Sequence, residues 1–192
     1  LFHLTTATTI LDLHNFNQTI GNLTGVASSS VSLGTATLTI GDATDQTFAG
    51  NISGTGNIIK QSSGMLTLTG TNSCSTTTIS SGTLTLSGTG TLNSNIAVQS
   101  GALLNVAGVS APATIANLTG AGSVVIGTQG TTLSIALPSS FSGSISEQGG
   151  ASSLAISGGS MLTFSGINTY TGSTTILGNS TLALSGSGSI AS

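Results

Sequence analysis

Four acids, two histidines, one lysine, one cysteine and one tyrosine are the ionisable groups from which this 192-residue chain could build a reactive site. Asp42 and Asp45 stand three apart in "GDATDQ", directly after an alternating stretch, a spacing at which two carboxylates can share a cation. The same spacing is ordinary for polar turn residues, which is the default reading. Asp12 and Glu147 lie apart from that pair, and glycoside hydrolysis requires two opposed carboxyl groups that no spacing here dictates. His3 and His14 have only Asp12 near them in sequence, so they read as exposed or edge histidines rather than as metal ligands or bases. The glycine-rich calcium nonapeptide is missing. Serine is abundant, but no His–Asp set accompanies a nucleophile elbow. Cys74, being alone, excludes an internal disulfide framework and a cysteine-based zinc cluster, and reads as a small, partly buried hydrophobe. Lys60 reads as a solvated edge charge or as the partner of a nearby turn acid. The expectation is therefore no catalytic, metal-binding or cofactor-binding residue and no cofactor.

Two polar patterns remain. Asn72 and Asn168 occur in similar surroundings, and an asparagine inside a turn can hydrogen-bond backbone groups that the bend leaves open. A structural role is expected for both. Thr37/Thr39, Thr67/Thr69 and Thr83/Thr85 form Thr-x-Thr steps. Ice-binding solenoids present outward threonines one coil apart, but spacings as uneven as these argue against one continuous flat array. Threonine also simply suits an outward strand position.

Composition narrows the class. Only 3% of the residues are charged, against about a quarter in an ordinary globular domain. With Lys+Arg at 1, the chain cannot neutralise several phosphates, which excludes nucleic acid as a partner. Apolar runs are far shorter than the ~20 residues of a membrane-spanning helix. The chain starts at Leu1 without a basic n-region and apolar h-region, so it is expected to be an excised fragment of something longer.

The elements that must position these residues are strands. "TLTI" (37–40), "LTLT" (66–69), "TLTL" (83–86), "LAIS" (154–157), "LTFS" (162–165) and "TLALS" (181–185) alternate apolar with small polar residues, as a strand with one buried face does. Glycine-containing turns separate them, and no window carries a helical period. "MLTLTGTNSCSTTTISSGTLTLSGTGTL" (65–92) repeats as "MLTFSGINTYTGSTTILGNSTLALSGSGSI" (161–190) with two single-residue insertions. This register equates Gly70 with Gly166, Asn72 with Asn168, Cys74 with Tyr170, and Leu84 and Leu86 with Leu182 and Leu184. All four leucines are expected to point inward. A Leu-x-Leu/Phe strand recurs after roughly 20 residues, close to one solenoid coil. About 8–10 coils at about 4.8 Å each predict a rod of roughly 40–50 Å. An antiparallel sandwich should show Asn-Gly or Asp-Gly hairpins, and neither dipeptide occurs. The expected fold is an all-β, single-stranded parallel β-helix running as one body over 1–192, with repeat-like copies near 47–92 and 141–190.

Three stretches carry a family resemblance. "LDLHNFNQTIGNLTG" (11–25) resembles the segment leading into the autotransporter-associated β-strand repeats of bacterial type V secreted proteins. "TFAGNISGTGNIIKQSSGMLTLTGTNSCSTTTISSGTLTLSG" (47–88) and "LTFSGINTYTGSTTILGNSTLALSG" (162–186) resemble the repeats themselves. Lys60 falls on the lysine of the repeat, and Asn72 and Asn168 on its asparagine. Residues 89–140 match only in general style. His14 and Asn15 stand where Asn-Gly is usual, Ser63 where the repeat has glycine, and the turn around Cys74 is short. The resemblance implies a passenger domain with a right-handed β-helix, exported through the outer membrane by a C-terminal β-barrel that this sequence does not include and through which alone it would meet the membrane.

The expected function is that of a non-enzymatic extracellular segment at the bacterial surface, a rigid stalk or adhesive surface contacting a host receptor, a glycan or copies of itself. Three alternatives stand beside it. One is the spacer of a secreted enzyme or toxin whose active domain lies elsewhere. Another is a phage or extracellular-matrix β-helix with no barrel. The third is an ice-binding solenoid.

Overall fold

The computed structural model describes residues 2–190, which form 24 strands and no helix. The strands are three to nine residues long and pair in parallel with strands one coil away, building a β-solenoid of about nine turns. Strands this short cannot bury a face alone, and parallel pairing ordinarily demands a long crossover. The coil supplies that crossover from the strands of its own other faces. The ladders form an eight-stranded, a twelve-stranded and a four-stranded sheet.

One coil shows the wiring. Met65–Leu68 lies on the first face, in the eight-stranded sheet. The chain turns at Thr69 and Gly70 into the long strand Thr71–Ile79. Its first part, 71–73, pairs with 91–93 on the second face, and 76–79 pairs with 95–98 on the third. The register shift between Ser73 and Thr76 is the bend between those faces. After a serine–glycine corner, Thr83–Gly88 returns to the first face beside Met65–Leu68.

The core is a set of inward columns. Leu66, Leu84, Leu104, Val124 and Ile145 stack along the first face, and each is at most 1% exposed. Each buried branched side chain stabilises by roughly 1.5–3 kcal/mol, and stacking like on like fills the interior without gaps. Leu86 joins this core as expected, and Leu182 is partly buried against it. Leu184 departs from expectation. It pairs with Phe164, yet it is 48% exposed because no further coil covers it among the described residues.

Corners need residues without a Cβ. At Gly70 and Gly166 an added Cβ would strike the carbonyl oxygens of Gly50 and Gly143 on the neighbouring coil. A different corner uses strain instead. His14 and Asn15, at φ 49° and 66°, make the left-handed turn that Asn-Gly would make more easily, closed by Phe16 N donating to Leu13 O.

Candidate binding face and inter-coil slot

Outward positions of the second face form two columns. Ser30, Asn51, Thr71 and Thr91 make one, and Ser32, Ser53, Ser73 and Asn93 the other. From Asn51 onward all of these are exposed. Neighbours along a column are about 4.8 Å apart, and the columns are about 6.6 Å apart along each strand. The result is a grid of hydroxyls and amides that carries no charge from Ser30 to Asn93, with Asp12 next to Ser32 at its start. Asn51 Oδ1 accepts a 2.8 Å bond from Thr71 N, which holds the asparagine against the grid.

This face breaks just beyond Thr91. Residues 91–93 pair with 71–73 on one side, but Ala113–Ile115 on the next coil is the edge of the separate four-stranded sheet. Among the described residues no ladder joins 89–94 to 110–116. Both ends of the gap are closed. Gly88 pairs with Val109 and accepts from Ser110 N at 2.7 Å, while Asn95 pairs with Asn117 and accepts from its Nδ2 at 2.9 Å. Between these ends lies a slot of about 390 Å³. Leu86, Leu92, Val109 and Pro112 supply apolar surface, and Thr89, Thr91, Asn93, Ser110 and Thr114 supply hydroxyls and an amide. Sequence reasoning passed over this region. The available signals were Pro112, which lacks the N–H a ladder needs, and a coil of 22 residues between Asn95 and Asn117 in place of the commoner 20.

The residues singled out for chemistry are dispersed by the fold, and among the described residues no three of His, Cys, Asp or Glu converge. Asp42 Oδ1 accepts from Thr44 N at 2.9 Å and from the Thr44 hydroxyl at 3.0 Å. The Thr44 amide is the main reason its carboxyl is held below the ordinary range. Asp45 Oδ1 instead accepts from Met65 N on the next coil at 2.8 Å. The two acids therefore serve separate backbone groups. Glu147 accepts from the Thr171 hydroxyl at 2.6 Å and from Ser152 N at 2.7 Å, and the Thr171 bond leads in lowering its proton affinity. Asp12 caps His14 N at 3.0 Å, which holds its carboxyl low, and faces the His14 ring at 3.1 Å in an exposed pair. His3 is exposed and meets the Thr24 hydroxyl.

Lys60 is a correction. It is neither a solvated edge charge nor one arm of an ion pair, but stands in an inward column between Ile40 and Ile79, only 2% exposed. Its Nζ donates to the carbonyls of Gln61 and Ser62, both at 2.9 Å, and of Ser81 on the next coil at 3.3 Å. Those carbonyls belong to tight corners, where Ser62 takes φ 69° and Gly82 φ 68°. The ammonium thus ties two corners together from inside. Burial pushes its pKa down, partly offset by the charge of Asp45.

The asparagines do what their turn positions suggest. Asn72 Oδ1 accepts from Ile52 N at 3.1 Å, and its Nδ2 donates to the carbonyls of Gly70 and Thr91 at 2.9 and 3.0 Å. Asn168 repeats the pattern with Ile145 N at 2.8 Å, Gly166 O at 3.4 Å and Ser189 O at 2.6 Å. Cys74 is buried beside a hydroxyl pair, with Sγ 3.2 Å from Thr77 Oγ1 and 3.4 Å from Ser94 Oγ. Tyr170 is fully buried, its hydroxyl 2.6 Å from Thr174 Oγ1, and burial raises its pKa against the opposing effect of that bond.

The threonines stack by register rather than by motif spacing. Thr47, Thr67 and Thr85 are direct neighbours on the first face, followed by Asn105 and Val125, whereas Thr37 and Thr39 lie in the twelve-stranded sheet. Beside that column stand Met65, Thr83, Leu103 and Ser123, so no continuous double threonine array forms. No protein-family model, curated protein or solved structure matches the chain.

Proposed function

We propose that this chain is a non-enzymatic, extracellular β-helical segment of a bacterial autotransporter passenger, serving as a rigid stalk with a weakly adhesive side. The observation that carries the adhesive reading is the grid of hydroxyls and amides from Ser30 to Asn93 on the second face, which meets a charge at its start, where Asp12 adjoins Ser32. Its secretion route rests on the resemblance of 47–88 and 162–186 to autotransporter repeats. A chain of which only 3% is charged cannot steer a partner over distance. Contact then relies on single hydrogen bonds worth about 1 kcal/mol net each, which become useful only when many copies act together.

Beads coated with the protein should cluster, or capture neutral glycans, while the free protein binds only weakly. Raising ionic strength from about 0.01 M to about 1 M shortens the Debye length roughly tenfold and should leave this adhesion nearly unchanged. Collapse of clustering with salt would refute the uncharged-surface mechanism, and absence of adhesion in every format would leave only the stalk.

A further inference from the structure

We propose that the slot between the coil beginning at Thr83 and the coil beginning at Leu103 is a binding site for one unit of a neutral saccharide. For its biological use this inference rests on the adhesive reading above. Its chemistry comes from the slot itself.

The strand edges 91–93 and 113–115 face one another without a ladder between them, although each is paired on its other side, 91–93 with 71–73 and 113–115 with 131–133. An open edge presents backbone N–H and C=O groups that seek partners. With the hydroxyls of Thr91, Ser110 and Thr114 and the amide of Asn93, the slot offers both donors and acceptors, while the Thr89 hydroxyl already donates to Thr69 O at 3.3 Å. No lining residue is charged, so an ionic ligand would lose hydration with nothing to pair it. A purely apolar ligand would leave the edges and hydroxyls unsatisfied. Leu86, Leu92, Val109 and Pro112 nevertheless provide an apolar surface. A polyol ring with C–H faces and hydroxyl edges satisfies both requirements.

Shape separates this occupant from an added peptide strand. The closures at Gly88/Val109 and Asn95/Asn117 block an extended chain from running through, while a compact ring enters from the side. The volume of about 390 Å³ lies near the low end of small-molecule sites, about 300–1,000 Å³. No aromatic residue lines the slot, so affinity is expected to be weak, with Kd of about 1 mM.

The test is backbone-amide NMR of the whole chain titrated separately with lactose, maltose, cellobiose, a sialylated trisaccharide and a short uncharged peptide. At least one neutral disaccharide should shift resonances of 89–94 and 110–116. Thr91→Trp, which covers the slot, should weaken binding at least tenfold, while Thr47→Trp, the same change at an exposed position of the first face where the ladder to Thr67 is intact, should not. If Thr91→Trp fails to fold, Thr114→Trp blocks the opposite lip. The proposal is overturned if no neutral disaccharide binds, if the shifts lie elsewhere, if binding survives the blocking variant, or if only the acidic sugar or the peptide binds the slot. Bead clustering measured on the same variants keeps the two ideas apart. Clustering without slot binding defeats this site alone, and slot binding without clustering defeats the adhesive reading alone.

Discussion

The two copies of the longest repeat, 65–92 and 161–190, have the same local wiring and different addresses. In the first, the Leu-x-Leu strands Met65–Leu68 and Thr83–Gly88 belong to the eight-stranded sheet. In the second, Met161–Phe164 and Thr181–Leu184 belong to the twelve-stranded sheet. The corner between strands is nonetheless conserved in its bonds, since Asn72 and Asn168 each accept from the neighbouring coil and donate to the glycine two residues before. The repeat therefore encodes a corner and a strand, not a face. Which face it occupies depends on how many strands the chain has laid down in between.

The largest expected contrast is in the core. Leu84→Asp buries an unpaired carboxylate at a site with no exposure and should cost about 4–5 kcal/mol. Leu182→Asp, partly buried on a coil that is covered from one side among the described residues, should cost no more than half of that. Urea melts that rank the two equally would mean that the copies are equivalent in depth as well as in sequence.

Next come the corner asparagines. Asn72→Ala strands Ile52 N and two carbonyls and should cost about 2–3 kcal/mol, and Asn168→Ala, which likewise bridges Ile145 N on one side and Ser189 O on the other, about as much. Hydrogen exchange should show Ile52 and Ile145 losing protection, each only in its own variant. Unchanged exchange at those amides would remove the inter-coil cap from the account.

Cys74 and Tyr170 sharpen the comparison at smaller scale. Cys74→Ser and Tyr170→Phe each perturb one side-chain bond and should each cost about 1 kcal/mol while preserving the fold. A loss of folding in Cys74→Ser would show that the thiol is more than filler beside Thr77 and Ser94.

The smallest effects are those of pH. Asp12, Asp42 and Glu147 have lowered proton affinities in the fold, so their modest stabilisation is present above the unfolded values of 3.8 and 4.5 and is lost as pH falls below them. Lys60 is also lowered, but as a cation, so stability should climb as pH rises toward 10.5, where the unfolded chain still holds the proton. Tyr170 is raised, so stability should fall once pH passes 10.0. Urea midpoints against pH should lose the climb in Lys60→Met and the fall in Tyr170→Phe. An alkaline limb unchanged by either variant would contradict these assignments.

Much of this molecule was legible in its residues. Strict alternation with small polar partners, the glycine corners and the repeat near 20 residues follow from local sterics and a strand's two-residue side-chain period, and they specify a parallel solenoid with Leu84 and Leu86 inside. The turn roles of Asn72 and Asn168 were legible for the same reason, because an asparagine beside a bend bonds groups close by. Lys60 was misread because "NIIKQ" alternates equally well on either phase, and only the stacking of Ile40, Lys60 and Ile79 puts the lysine inside. The threonine column was missed because its order follows inter-coil register, which a varying coil length hides from spacing along the chain. The change of face between the two repeats and the slot between 89–94 and 110–116 were decided by the tertiary structure alone. Both arise from counting strands and pairing edges across coils, and those pairings join residues about 20 positions apart that no local pattern links.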